Sequence, residues 1–221
     1  MANPAHSTIE IYQFRIYLQG ISPMIWRRLW LRSDQTLAHL HHALQISFDW
    51  SDTHLHCFRH RLREYGIPRI GGPFYTEDAR HVRLLDLNLR LRERLLYDYN
   101  FHVPWVHDIR LEKQLPVSDS QIRGNGAHQY PICLAGARQA PPEECGGAWH
   151  YMSLRQYYNV FYIADRIIEI LQEIDADEVE DVVLDMLLEE LEILLYWAQC
   201  DEFDRKDINQ RLLQCFIQER T

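Results

Sequence analysis

Thr8-Ile9-Glu10-Ile11-Tyr12-Gln13-Phe14-Arg15-Ile16-Tyr17-Leu18-Gln19 alternates along its length. Tyr12, Phe14, Ile16 and Leu18 fall on one side, with Gln13, Arg15 and Tyr17 on the other. A two-residue period of this kind describes a strand with one buried face. Residues 20–23 supply a turn, and Ile25-Trp26-Arg27-Arg28-Leu29-Trp30-Leu31 supplies a second strand. Trp26, Arg28 and Trp30 share one of its faces and Ile25, Arg27 and Leu29 the other, so an arginine satisfied by an Asp or Glu is expected on a buried face.

Beyond that pair the period changes. Leu37, Leu40, His41, Leu44 and Phe48 form the stripe of an amphipathic helix, with Ser33 and Asp34 as start signals and residues 49–52 as its end. Residues 54–61 read as a strand that puts His54, His56 and Phe58 on one face, and residues 66–73 as a turn-rich connection. Residues 82–94 fit helix or strand. Residues 94–101 and 105–111 predict a hairpin, residues 118–129 a loop, and the Pro- and Gly-rich residues 131–147 an irregular segment. From Met152 onward the pattern is helical, through residues 154–174 and 177–199. Strands with one early helix, followed by helices alone, predict an α+β fold: a mixed or antiparallel sheet with a packed helix over residues 8–152, then an acidic helical extension over 153–221.

Charge divides the chain in the same place. The formal net charge is −9, but residues 167–204 contain fourteen Asp and Glu and no Lys or Arg, leaving 18 acidic against all 23 basic residues elsewhere. A mildly basic body joined to a strongly acidic part disfavours nucleic acid as the partner, because phosphate neutralisation supplies most of such affinity. The start, Met1-Ala2-Asn3-Pro4-Ala5-His6, has neither a basic nor an apolar run, and the apolar stretches are too short to span a bilayer. A cytoplasmic location without membrane contact is expected. Five cysteines with no Cys-x-x-Cys spacing are expected to stay reduced.

Histidines carry the chemistry. His39, His41, His42, His54, His56 and His60 lie within 22 residues. His54 and His56 on one strand, His107 after a second aromatic strand and Cys145 in the irregular segment make a candidate zinc set, set against the alternative that these are core histidines. Cys145, between Glu144 and Gly146-Gly147, is a candidate thiol nucleophile with His107 or His150 nearby, set against a simple packed turn. Phosphate-binding loops, dinucleotide fingerprints, the Gly-x-Ser-x-Gly elbow and His-Glu-x-x-His are absent from the sequence.

Four segments occur together: Leu18-x-x-Ile21-x-Pro23-x-Ile25-Trp26-Arg27-Arg28; Thr36-Leu37-x-x-Leu40-His41-x-x-Leu44-Gln45-x-x-Phe48-x-Trp50 with His54-Leu55-His56-x-Phe58; Tyr97-Asp98-Tyr99 with Trp105-x-His107-x-Ile109-x-Leu111-Glu112; and Cys133-Leu134-x-Gly136-x-Arg138 with Pro141-Pro142-Glu143-Glu144-Cys145-Gly146-Gly147. This combination resembles the Ri-plasmid ORF-three-like family, whose members often carry the label of TnpR-type transposon passenger proteins. The chain departs from that pattern at Asn100-Phe101-His102, where the family has Gly-Asp, and at Glu144, where it has Asp. The resemblance implies the fold, a mobile-element context and a motif cluster of Trp26, Arg27, Arg28, His41, Asp98, Trp105, Cys133, Pro141, Pro142, Glu143, Glu144, Gly146 and Gly147. It implies no reaction, and no recombinase active-site pattern is present.

The expected function is therefore that of a non-catalytic binding or accessory protein of plasmids or transposable elements, acting through a protein partner. The alternatives are a metal-dependent enzyme centred on His54, His56, His107 and Cys145, and a DNA-binding accessory factor using Arg27, Arg28, Arg59, Arg61 and Arg63.

Overall fold

A computed structural model describes residues 9–117, 130–175 and 180–218. Its strands are β1 (Glu10–Leu18), β2 (Trp26–Arg32), β3 (His56–His60), β4 (Arg63–Gly66), β5 (Glu77–Asp78), β6 (Arg94–Tyr99), β7 (Trp105–Pro116) and β8 (Ile132–Ala137). They form one sheet in the order β5-β4-β3-β6-β7-β1-β2-β8, antiparallel except between β4 and β5. The α+β expectation stands, and so does the predicted hairpin, in which Tyr97 pairs with His107 and Tyr99 with Trp105.

The alternation in β1 and β2 separates the two sides of the sheet. Phe14, Ile16, Leu29 and Leu31 are fully buried on the side that also carries Phe58, Tyr97, Tyr99, Trp105 and Ile109. Helix α1 (Leu37–Ser47) contributes Leu37, Leu40, His41 and Leu44 to the same core, and Phe48 follows at its end. The other side of the sheet is polar. There a bulge opposite Gln13 and Phe14 makes Glu112 the extra residue of β7, and its carboxylate accepts from Arg28 at 2.6 and 3.0 Å and from Gln13 at 2.8 Å.

The helix start lies later than Ser33 and Asp34. Thr36 caps α1, its hydroxyl accepting from the His39 N–H while the His39 ring accepts from the Thr36 N–H, so a histidine occupies the usual Glu position of a capping box. Ser33 instead bonds Glu10 across the strand ends, and Asp34 pairs with Arg32. Residues 82–94 contain one short 3-10 turn (Leu84–Leu87).

Residues 131–147 are not wholly irregular: Ile132–Ala137 pairs with β2 as an edge strand, and Gly147 opens a helix. Gly136 serves contact rather than a turn, since a Cβ there would sit 2.5 Å from the Phe203 ring. The predicted loop at 118–129 lies outside the described residues.

Four helices follow: α2 (Gly147–Tyr157), α3 (Val160–Ile174), α4 (Asp181–Gln199) and α5 (Arg205–Gln218). Asn159 caps α3 by accepting from the Phe161 and Tyr162 N–H groups at 3.1 and 3.2 Å. Tyr151 and Tyr158 both stack on Trp197, which ties α2 and the α2–α3 link to α4. Helix α5 returns to the sheet. Asn209 accepts from the Cys133 N–H at 2.8 Å and donates to the Cys133 carbonyl at 2.9 Å, and Ile208, Leu212 and Phe216 are buried. The buried core is continuous from β1 to these helices. No helix among the described residues is long and apolar enough to cross a membrane.

Candidate functional site

Arg27 is the buried arginine of β2, and its partners are carbonyls rather than a carboxylate. It donates to Ser47 O at 2.8 Å, Trp26 O at 2.9 Å and Ala137 O at 3.1 Å, and its guanidinium lies between the Phe48 and Phe203 rings. Burial lowers its pKa to about 10, which leaves it charged at neutral pH. It thereby pins the end of α1, β8 and the start of α5's segment to one point. A half-open cleft of about 600 Å³ lies over it, lined by Arg138, Pro141, Pro142, Phe203 and Arg211 among others.

The Pro-Pro-Glu-Glu segment is a strap laid across the aromatic end of the sheet. Trp50 donates its indole N–H to Pro141 O at 3.0 Å, and Trp105 donates to Glu143 O at 3.0 Å. Trp50 packs between Tyr99 and Trp105 at ring distances of 5.4 and 5.5 Å. The Glu143 carboxylate accepts from the Ser51 N–H at 2.8 Å, the Ser51 hydroxyl at 2.7 Å and the Tyr99 hydroxyl. Burial opposes its charge, but these donors hold its pKa below the usual carboxylate value. Burial and the Glu143 bond push Tyr99 up to about 12. Glu144 is exposed and pairs with His54. Gly146 and Gly147 turn the strap into α2 at φ +87° and +80°, and a Cβ on Gly147 would meet Val103 at 2.8 Å.

On the far side of residues 51–54 stands a histidine cluster. The His41 and His56 rings stack 3.6 Å apart and nearly parallel. His41 Nδ1 shares a hydrogen bond of 2.7 Å with the Tyr97 hydroxyl, which also accepts from Gln45 Nε2 at 2.9 Å. His41 Nε2 lies 2.9 Å from Asp52 Oδ1, and His42 Nδ1 lies 3.8 Å from Asp52 Oδ2. Burial lowers the pKa of His41 and, reinforced by the neighbouring His41, takes His56 down to about 2. Burial raises Asp52, yet the His41 hydrogen bond and the surrounding imidazoles hold it below its usual value. His56 Nε2 is buried without a hydrogen-bond partner.

The set of His54, His56, His107 and Cys145 does not converge: among the described residues, no three of them bring donor atoms within 4.8 Å of one another. The reason is local. Strand β3 begins only at His56, so His54 sits in a bend before it and reaches the strap instead of sharing the His56 face. His107 donates to Trp105 O at 3.0 Å and packs edge-on against Phe48 and Trp50, and burial lowers its pKa to about 3. Burial pushes the Cys145 and Cys133 thiols up to about 11, the opposite of what a nucleophile needs. Trp26 and Arg28 lie on the polar side, where Arg28 faces Glu112 and stacks on Trp26, while Asp98 pairs there with Arg59. His42 and Asp52 were outside the expected set. The adjacent His41-His42 pair was a visible signal; the return of Asp52 was not, because it depends on positive φ at Asp49 and Asp52.

The motif segments thus meet around one strap and one buried arginine. The model of the plasmid pRiA4b ORF-3-like protein family matches residues 10–209. The chain belongs to that family. The match runs from β1 into α5, so within the pRiA4b ORF-3-like family the acidic helices belong to the shared unit as much as the sheet does. An uncharacterized protein, y4hQ, from Sinorhizobium fredii is 29% identical over 143 residues, covering 64% of this chain and 70% of that protein. The crystal structure of a protein of unknown function, MM3350, from Methanosarcina mazei is similar at a TM-score of 0.62 and 29% identity, over 91% of this chain and 97% of that one.

Proposed function

We propose that this protein is a non-catalytic accessory protein of plasmids or other mobile elements, working in the cytoplasm through a protein partner that docks on α3 and α4. The observation that carries the reading is α4 itself. It buries Leu187, Leu194 and Trp197 on one side, yet leaves Val182, Met186 and Ile193 exposed on a second side and Leu188 and Leu195 on a third. A helix apolar on several sides is ordinarily covered on several sides. Helix α3 repeats the pattern with Phe161, Ile168 and Leu171 exposed along one side.

Charge supports a partner of complementary kind. Arg166 is the one base on these two helices, and Glu169, Glu173 and Glu190 already surround it. Asp165, Asp181, Asp185, Glu189 and Glu192 stay outside any ion pair among the described residues, so a second copy of this chain would bring like charges together. A partner presenting apolar residues ringed by Lys and Arg fits better. The DNA reading has less support, since Arg27 is buried and Arg28, Arg59, Arg61 and Arg63 each face a carboxylate.

The test compares wild type with the double variant Val182→Glu, Met186→Glu in quantitative capture from cells that carry the host element. The expected result is one protein with a basic apolar surface, held near one to one by wild type and lost with the variant, while circular dichroism and Tm stay unchanged. Equal capture by both proteins, or stoichiometric self-association of wild type instead, overturns the reading.

A further inference from the structure

Outside the strap, His41, His42 and Asp52 each offer one donor atom, a ring nitrogen or a carboxylate oxygen, and the three lie within 4.8 Å of one another. His41 Nε2 lies 2.9 Å from Asp52 Oδ1 and His42 Nδ1 3.8 Å from Asp52 Oδ2, on either side of the roughly 3.3 Å between ligands on a tetrahedral zinc with bonds of about 2.0–2.1 Å, each histidine facing a different carboxylate oxygen. A cation binding there takes the place of the proton in the His41–Asp52 hydrogen bond.

The surroundings resemble those that orient metal ligands. His41 is held through Nδ1 by Tyr97, which leaves Nε2 directed at Asp52. Gln45 links both ligand positions, donating to Tyr97 through its amide nitrogen and accepting the Asp52 backbone N–H at 3.2 Å through its oxygen. The His56 ring lies flat against His41, its centroid 3.6 Å away, which fixes the plane of the His41 imidazole.

We propose that His41, His42 and Asp52 bind one divalent transition-metal ion of the zinc class, with His56 stacked on the His41 ring and a remaining position open on the His42 side. This goes beyond the docking role of α3 and α4 and stands independently of it. Two imidazoles and one carboxylate form an N,N,O set that suits zinc, cobalt or nickel better than calcium or magnesium, which favour all-oxygen cages. One group opposes the ion. The Arg69 guanidinium stands 3.6 Å from Asp52 Oδ1 and also reaches the carbonyls of Asp52 and Thr53. Its side chain is half-exposed and can swing out, so the cation and Arg69 compete for one carboxylate.

The test is titration of untagged full-length protein with Zn²⁺ and Co²⁺ at neutral pH against a chromophoric chelator, with the cobalt visible spectrum as a second readout. Wild type is expected to bind one ion per chain with a Kd in the micromolar range or tighter. Asp52→Asn and His42→Ala, neither of which removes a core ring, should each weaken binding by more than the roughly 10- to 100-fold that loss of an outer-shell partner alone costs. Arg69→Ala should tighten it, and His54→Ala should leave it unchanged. Circular dichroism and Tm of the metal-free variants report that folding is intact. Absence of stoichiometric binding by folded wild type overturns the proposal. So does binding that survives Asp52→Asn and His42→Ala but is lost in His54→Ala, which would move the ion to the Glu143–Glu144 side.

Discussion

Trp105 and Met186 are both large apolar residues on regular elements, and the fold treats them in opposite ways. Trp105 is fully buried in the sheet, its indole N–H bonded to the Glu143 carbonyl and its ring against Trp50. Met186 is 65% exposed on α4, with Val182 exposed one turn before it. The strap, α1 and α5 close the inner side of the sheet, whereas α3 and α4 keep apolar sides in water. A chain that can fold that completely in one region has the means to cover apolar surface. What it leaves open in the other region is then a property of the surface to be explained by use rather than by failure to pack.

The sharpest way to break this contrast is Trp105→Ala. Loss of a fully buried ring and of its hydrogen bond should cost about 3–5 kcal/mol, read as a fall in the denaturant midpoint at unchanged slope. A loss below about 1 kcal/mol would mean that the aromatic end of the sheet is no tighter than the helices.

Acid should act on the same region. The folded pKa of His107, at about 3, lies below the ordinary imidazole value of 6.5, so the unfolded chain takes up the proton first as pH falls. Its contribution is fully present above about pH 6.5 and is lost as pH drops toward 3, at up to about 1.4 kcal/mol per pH unit. His56, lowered to about 2, adds a slope of the same sign. Unfolding followed between pH 7 and pH 4 should show this decline, and His107→Gln should flatten it. An unaltered slope in that variant would put the acid sensitivity elsewhere.

A smaller effect is expected where the strap enters α2. Gly147 combines φ of +80° with a Cβ position 2.8 Å from Val103, so Gly147→Ala should destabilise by about 1–3 kcal/mol. Val103→Ala in the same chain would relieve the contact but not the backbone strain, and part of the loss should remain. Full recovery in the double variant would assign the whole cost to the contact.

What could be read from the sequence was whatever a short period encodes. The Tyr12–Leu18 alternation and the Leu37–Phe48 stripe needed only their own residues, and a strand and a helix stand over them, the helix capped by Thr36 rather than by Ser33 or Asp34. The edge strand β8 did not follow, because Gly136 looks like a turn residue until Phe203, far along the chain, is seen lying against it. Arg27 was expected inside with a carboxylate and found three carbonyls, partners that no side-chain pattern announces. His41 was legible as part of a stripe. Its meeting with Asp52 and His42 depends on left-handed residues after α1, and neither Asp49 nor Asp52 signals that conformation in the way glycine would. The same limit moved His54 away from His56, since a strand that starts two residues late loses an i, i+2 pair.

The smallest expected effect is the one that sharpens the contrast most. Met186→Gln keeps the length and helix propensity of the side chain and removes only its apolar character. With 65% of Met186 in water, the change should move stability by no more than about 0.5 kcal/mol in either direction. Paired with the loss at Trp105, a null result here separates surface that holds the fold together from surface that does not. A loss of 1 kcal/mol or more would show that α4 is already covered in the free protein, by another copy or by another part of this chain. That coverage would make the thermal midpoint depend on protein concentration in the first case and leave it independent in the second.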